Sequence, residues 1–142
     1  MGLPLAVRTA EVGHRVLGHD VDRHRVQQIT AGQSYVEDVA SARLPTVLDS
    51  GAYSVTADAT ALAGFDIAVI TVPTPLRDGV PDLTYVESCL HTVGAHLRPG
   101  ATVVLESTTY PGIAEEVVLP NPGKDIRPGW RGLPCRIQPR AH

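Results

Sequence analysis

The chain has 142 residues, one domain's worth at ~100–200 residues per domain, with 43% hydrophobic and 19% charged residues and a single Trp and a single Phe. That composition describes an aliphatic-cored globular protein and excludes a disordered chain, a collagen-like rod and a coiled coil. The formal charge of -3 divides unevenly: residues 1–120 hold 7 Lys+Arg against 14 Asp+Glu, for -7, whereas residues 121–142 hold 5 against 1, for +4.

No stretch approaches the ~20 consecutive apolar residues of a membrane span, and the N-terminus lacks the basic, apolar and small-residue order of a secretion signal. A cytoplasmic location with no membrane partner is therefore expected. The absence of a basic stripe argues against nucleic acid. Two cysteines, Cys89 and Cys135, make no disulfide framework, and no Cys/His cluster has metal-ligand spacing, so no metal is expected.

In chain order, Leu3, Leu5, Ala6, Ala10 and Val12 predict a helix that stops at Gly13, a residue suited to the left-handed position past a helix end. Val16 to His19 form a short apolar run that ends in acid at Asp20. Asp22 can cap a helix carrying Val26 and Ile29 on one face and closed by Gly32. A weaker helical segment covers about Ala42 to Leu48, and Tyr53 to Thr56 read as a short strand. Asp66 to Val72 is a nearly continuous, β-branched apolar run, the pattern of a strand buried on both faces of a parallel sheet. It stops at Pro73-Thr74-Pro75. After a turn-rich stretch from Arg77 to Asp82, Val86, Cys89, Leu90, Val93 and Leu97 recur at helical spacing over Leu83 to Leu97. Pro99-Gly100 breaks that helix, Thr102 to Leu105 form another strand, Ser107 to Gly112 a loop, and Ile113 to Leu119 begin a helix.

Strands alternating with helices across short loops predict an α/β fold, a Rossmann-like parallel sheet with helices on both faces. In such sheets ligands bind at the carboxyl ends of the strands, so Asp20, Val72 to Pro75 and Glu106 to Thr109 are expected on one rim. Asp20, at the tip of a predicted second strand, stands where a dinucleotide fold places the carboxylate that accepts the adenosine ribose hydroxyls. A carboxylate there repels a 2′-phosphate, which favours NAD over NADP. Read more plainly, it is a solvated Asp opening a turn. Arg25, one turn into the following helix, can reach over the adenine or ribose, or be an ordinary surface charge. Gly2 sits where a dinucleotide fold wants a glycine for close helix–strand approach, but a lone glycine says little.

Thr74, held extended between two prolines, can donate to a ribose or pyrophosphate oxygen or simply mark a rigid strand exit. Thr108 and Thr109 follow a buried strand, where a hydroxyl can order a water or touch the nicotinamide ribose. Helix capping by Ser107 or a threonine explains them equally well. Glu106 reads as a solvated strand-end acid rather than a catalytic carboxylate. Cys89 shares an apolar helical face and reads as an inert buried thiol, and the six scattered histidines receive no catalytic or metal role.

Taken together, Gly2-Leu3-Pro4-Leu5-Ala6, Val16-Leu17-Gly18-His19-Asp20-Val21-Asp22, Ser34-Tyr35-Val36-Glu37-Asp38, Val72-Pro73-Thr74-Pro75-Leu76, Pro81-Asp82-Leu83-Thr84-Tyr85-Val86 and Glu106-Ser107-Thr108-Thr109-Tyr110-Pro111-Gly112 form an ordered set. Over residues 2–120 it resembles the NAD-binding domain of the UDP-glucose/GDP-mannose dehydrogenases, and its loops look most like the branch that oxidises UDP-N-acetylhexosamines, such as UDP-N-acetylglucosamine, at the 6-position. The resemblance implies a four-electron oxidation of a UDP-sugar 6-hydroxyl to the uronate with two NAD, through a cysteine-bound thiohemiacetal and thioester that keep the aldehyde from escaping. It assigns Asp20 and Arg25 to the adenosine ribose, Gly2 and Thr74 to the cofactor, and Thr108 to the nicotinamide side and the catalytic water. Full-length relatives are expected to be homo-oligomers.

The family's first strand and first two glycines precede the residues present here, so the sheet is expected to lack its first, central strand. That leaves neighbouring strands with unpaired backbone groups, each costing about 1–3 kcal/mol when desolvated. Past Pro120 the resemblance stops, and neither cysteine aligns with the family's nucleophile; its catalytic lysine is also missing. The expected division is a partial NAD-binding domain over 1–120 and an irregular tail over 121–142, from an internal start at Met1 and a frame change near Pro120. The chain alone is expected to be inactive. The alternative reading is a non-catalytic nucleotide-binding or partner-dependent module, or an inactive fragment.

Overall fold

The computed structural model describes residues 2–36, 43–77, 79–106 and 136–137. The chain divides into two compact units, residues 1–62 and 63–142.

The first unit opens with helix α1, Gly2–Glu11, whose Pro4 lies in the first turn, where a missing N–H breaks no helical bond. Its buried residues are Leu3, Val7 and Ala10. Leu5 and Val12, placed by the sequence pattern on the apolar face, are exposed, and Val7 occupies the centre of the contact instead. Gly13 ends the helix with φ +98°, its N–H donating to the Ala10 carbonyl; only glycine enters that region without strain. Strand β1, Val16–His19, follows, then helix α2, Arg23–Thr30, helix α3, Arg43–Asp49, strand β2, Tyr53–Thr56, and a 3-10 turn over Ala59–Leu62. Strands β1 and β2 pair in parallel, Val16 opposite Tyr53 and His19 opposite Thr56. Leu3, Val7, Ala10, Ile29, Leu44, Val47 and Tyr53 form one buried cluster, so the helices cover the strand pair with the residues that their 3.6-residue period aligns. Arg43 clamps Glu11 through two hydrogen bonds of 2.7 and 2.6 Å, joining α3 to the end of α1, and holds the Glu11 carboxyl below its ordinary range.

The second unit contains β3, Ile67–Ile70, a short antiparallel hairpin of β4, Leu76–Arg77, and β5, Val80–Pro81, helix α4, Thr84–Ala95, β6, Thr102–Leu105, and β7, Arg136–Ile137. Strands β3, β6 and β7 lie in that order and are parallel. Ile70, Val86, Leu90, Val93 and Leu105 make its core, with Cys89 packed against it. Arg98, just past α4, donates to the Phe65 carbonyl at 3.0 Å and pairs with Asp66, which ties the helix exit to the entry of β3. The hairpin, which starts at Leu76, overlaps the Arg77 to Asp82 stretch read as turn alone.

The α/β class and the parallel strands agree with the sequence reading, and the pairs β2–β1 and β3–β6 are those that a 3-2-1-4-5 strand order demands of its second, third, fourth and fifth strands. One expectation is corrected. β3 is not buried on both faces: Ile67 is 63% and Val69 44% exposed. Its alternate residues Ala68 and Ile70 pack into the core with α4. Among the described residues, too, β1 pairs only with β2, and β3 only with β6. Of the tail over 121–142, only Arg136–Ile137 lie among the described residues.

Candidate functional site

Asp20 is the first residue beyond β1. Its backbone N–H donates to the Thr56 carbonyl at 3.2 Å, extending the ladder to β2 by one rung and fixing the residue at the carboxyl end of the strand pair. Its side chain then organises the turn that follows. Oδ1 accepts the Asp22 N–H at 2.9 Å, and Asp22 in turn caps α2 by accepting the N–H groups of His24 and Arg25. The predicted cap at Asp22 is thus present, and it fixes where α2 starts relative to Asp20. One turn on, Arg25 reaches back, with Nη1 3.5 Å from Asp20 Oδ2 and Nε 3.5 Å from Asp22 Oδ2. A carboxylate 25% exposed at a strand end, with one oxygen anchored by the backbone and the other beside a guanidinium, is an acceptor pair suited to a vicinal diol. The acceptor pair therefore fits the two hydroxyls of an adenosine ribose.

Two tyrosines that the sequence reading did not assign to a site complete this corner. Ser34 accepts the Val36 N–H at 3.1 Å and donates to the Val36 carbonyl at 2.8 Å, setting a bend that carries Tyr35. The Arg25 guanidinium carbon lies 5.7 Å from the Tyr35 ring centroid, within cation–π range. Tyr53, at the head of β2, is 4% exposed and its ring crosses under Gly18: a Cβ built there would lie 2.7 Å from the Tyr53 hydroxyl oxygen. A glycine inside a predicted strand is a cue to such close approach, and Gly18 was the available signal. Burial pushes the Tyr53 phenol up to about 12, with Tyr35 and Asp20 adding to the effect. Burial, then Asp20, also raises Tyr35, against the opposing pull of Arg25.

The raised Tyr53 value carries a prediction. Between its ordinary 10.0 and about 12 the unfolded chain has lost the phenolic proton and the folded chain has kept it, so stability is full below pH 10 and falls across that window. At about 1.4 kcal/mol per pKa unit, the loss is on the order of 3 kcal/mol. Denaturant titrations at a series of alkaline pH values should show Tyr53→Phe losing much less than the parent chain over this range; parallel losses would exclude Tyr53 as the source.

The other predicted site residues lie elsewhere. Gly2 is the first residue of α1. Thr74, half-buried, follows β3 in the Pro73-Thr74-Pro75 segment outside the regular elements, which is held by the Asp82 N–H donating to the Pro75 carbonyl at 2.8 Å. Glu106 follows β6, its N–H donating to the Ile70 carbonyl at 2.8 Å, so Thr74 and Glu106 stand at the carboxyl ends of adjacent parallel strands. Asp20 and Arg25 are brought together in the first unit, and Thr74 and Glu106 belong to the second. Thr108, Thr109 and Cys135 lie outside the described residues. Cys89 is half-buried on α4, and desolvation raises its thiol, the reverse of an activated nucleophile. Among the described residues no group of three His, Cys, Asp or Glu side chains is placed to hold a metal ion, and no helix is long and apolar enough to cross a membrane.

The chain matches known proteins over most of its length. A family profile described as "UDP-glucose/GDP-mannose dehydrogenase family, NAD binding domain" matches residues 1–126. The chain is 36% identical over 118 residues to a UDP-N-acetyl-D-mannosamine dehydrogenase of Pyrococcus horikoshii, and 33% identical over 123 residues to a UDP-N-acetyl-D-glucosamine 6-dehydrogenase of Pseudomonas aeruginosa. These alignments cover 82% and 84% of this chain, and 28% of each relative. A solved structure of the UDP-D-ManNAc dehydrogenase from P. horikoshii superposes with a TM-score of 0.79 at 36% identity, covering 82% of this chain and 28% of that one. A ternary complex of GDP-mannose dehydrogenase from P. aeruginosa gives a TM-score of 0.76 at 34% identity, with the same coverage of 82% and 28%. The chain thus spans little more than a quarter of the length of the relatives it matches. With a strand-end Asp20, a capped α2 and the parallel pairs of a dinucleotide fold in place, the chain belongs to the UDP-glucose/GDP-mannose dehydrogenase family and carries its NAD-binding domain.

Proposed function

We propose that this chain supplies the adenosine-binding part of the NAD site of a nucleotide-sugar 6-dehydrogenase acting on a UDP-sugar, a UDP-N-acetylhexosamine or UDP-glucose. The observation that carries the reading is the Asp20–Arg25 corner, a carboxylate anchored at a strand end by the Asp22 N–H and flanked by a guanidinium. In this reading Asp20 accepts the ribose hydroxyls and Arg25 lies beside the adenosine. Gly2 lets α1 approach the cofactor-bearing strand end, and Thr74 contacts the cofactor from the end of β3. Thr108 serves the nicotinamide side. The site would hold NAD as the hydride acceptor, and the full oxidation to the uronate would consume two NAD, one for each hydride removed from the sugar carbon.

The chain by itself is a binding module and not a catalyst in this proposal. Cys89, the cysteine among the described residues, packs against the α4 core with its thiol raised, so it stays protonated and shielded where a covalent mechanism needs a thiolate. Titration of the purified chain with NAD, followed by NMR or calorimetry, should show saturable binding that Asp20→Ala weakens at least tenfold, or about 1.4 kcal/mol. Addition of UDP-N-acetylglucosamine and NAD should produce no NADH. Binding unaffected by Asp20→Ala would remove Asp20 from the site, and turnover by this chain would refute the module reading.

A further inference from the structure

Strand β3 uses one of its two edges. On the side of β6, the Asp66 and Ile70 carbonyls accept the Thr102 and Glu106 N–H groups, both at 2.8 Å. Backbone polar groups alternate in direction along a strand, so those of Ile67 and Val69 point to the opposite edge. No strand pairs there among the described residues. The side chains of the same two residues are 63% and 44% exposed. The strand Ile67-Ala68-Val69-Ile70 carries neither a charge nor a proline, the usual devices that blunt an edge. Asp66, just before it, is paired with Arg98. The edge of β1, likewise unpaired among the described residues, is a weaker template, because Gly18 interrupts it and Asp20 follows it.

We propose that the β3 edge is a self-association surface, and that its occupant is the β3 edge of a second copy of this chain. A two-fold axis perpendicular to the sheet sets the two strands antiparallel, with Ala68 opposite its own copy and Ile67 opposite Val69 in both directions. That register meets the alternation of backbone and side chain together. Ile67 and Val69 become the hydrogen-bonded pairs, each exchanging N–H and C=O with the residue it faces. On the exposed face the same residues and their copies join in one β-branched patch. A slip of one residue would set this face against the core face, which excludes the neighbouring registers. On the α4 side the axis passes Ala68, whose small side chain lets the two copies approach. The Asp66 carboxylates fall at the outer ends of the pairing, each held by its own Arg98, so no like charges meet.

The contact is isologous and closes at a dimer, whose continuous six-stranded sheet has an ordinary size. One short strand buries less than the roughly 1,200 Å² of a tight complex, so the dimer is weak and depends on concentration. Sedimentation velocity of the full chain between about 10 μM and about 1 mM should show a monomer passing into a dimer. Amide exchange at Ile67 and Val69 should slow at least fivefold across that range. Val69→Pro removes a donor that points away from β6, so the β3–β6 ladder stays intact while the dimer is lost. Val69→Lys, which puts a charge on the exposed patch, should also be monomeric throughout and serves should the proline variant fold poorly. Leu17→Lys, on β1, should dimerise as the parent does. A dimer retained by either folded Val69 variant overturns the proposal, as does one lost in Leu17→Lys or an assembly larger than two. A parent chain monomeric at every concentration overturns it too; constant protection of the Ile67 and Val69 amides would then mean that another segment of the same chain occupies the edge.

Discussion

Replacing Leu44 by alanine should cost about 2–5 kcal/mol in denaturant unfolding of this chain. Leu44 is 0% exposed and sits in the cluster that α1, α3 and β2 share with Leu3, Val7, Val47 and Tyr53. Truncation removes methyl groups from a site walled on several sides by rigid elements, so the cavity cannot close by a local shift, and the lost transfer energy is joined by the lost contacts. Against a typical domain stability of about 5–15 kcal/mol, such a loss is a large fraction of the whole. Leu5→Ala is the internal control: Leu5 is 38% exposed on the same helix, and its truncation should cost well under half as much. Equal midpoint shifts in the two variants would show that the cluster around Leu44 does not carry the stability of this unit.

Gly18→Ala should destabilise the chain by about 1–3 kcal/mol, the usual cost of overpacking. The added methyl would stand 2.7 Å from the Tyr53 hydroxyl oxygen and 3.2 and 3.3 Å from two ring carbons. The ring cannot slide away cheaply, because it belongs to the buried cluster beneath α1. Tyr53→Phe removes the closest atom and leaves the ring contacts, so Gly18→Ala made in the Phe background should cost less than in the parent, though not nothing. A double-mutant cycle should return a coupling of about 0.5–3 kcal/mol, as expected for side chains in contact. Strict additivity would mean that Gly18 is needed for its own backbone and not for the phenol packed against it. The same pair governs the corner's polarity, because Tyr53 lies close enough to Asp20 and Tyr35 for each to raise its phenol.

Much of the skeleton was legible from neighbouring residues alone. The runs Val16 to His19 and Tyr53 to Thr56 are strands with those bounds, and they pair in parallel. Asp22 caps α2, and Gly13 and Gly32 take the positive φ that ends a helix, while Gly100 takes it in the turn before β6. These signals work at short range: a cap is a hydrogen bond over two or three residues, and a glycine stop is a steric property of one. The strand-end position of Asp20 followed from the same local reading, as did the family through its ordered motifs.

What the sequence could not determine by itself was which face meets what. Val7, not Leu5 or Val12, anchors α1, because the direction of the covering strands chooses among apolar stripes that differ by a fraction of a turn. Ile67 and Val69 have the composition of residues buried in a two-sided sheet, yet they are exposed, because burial depends on the elements stacked against a strand and not on the strand's own residues. Tyr35 beneath Arg25 and Tyr53 beneath Gly18 join residues ten and thirty-five positions apart, contacts that no periodicity encodes. The sequence by itself determined the longer helices and the strands β1, β2, β3 and β6, the cap at Asp22 and the carboxylate at the end of β1, since those depend on backbone sterics and hydrogen bonds within a few residues. The tertiary structure alone decided the surroundings of that carboxylate, a guanidinium on an aromatic face and a buried phenol nearby, because those depend on how separate elements pack.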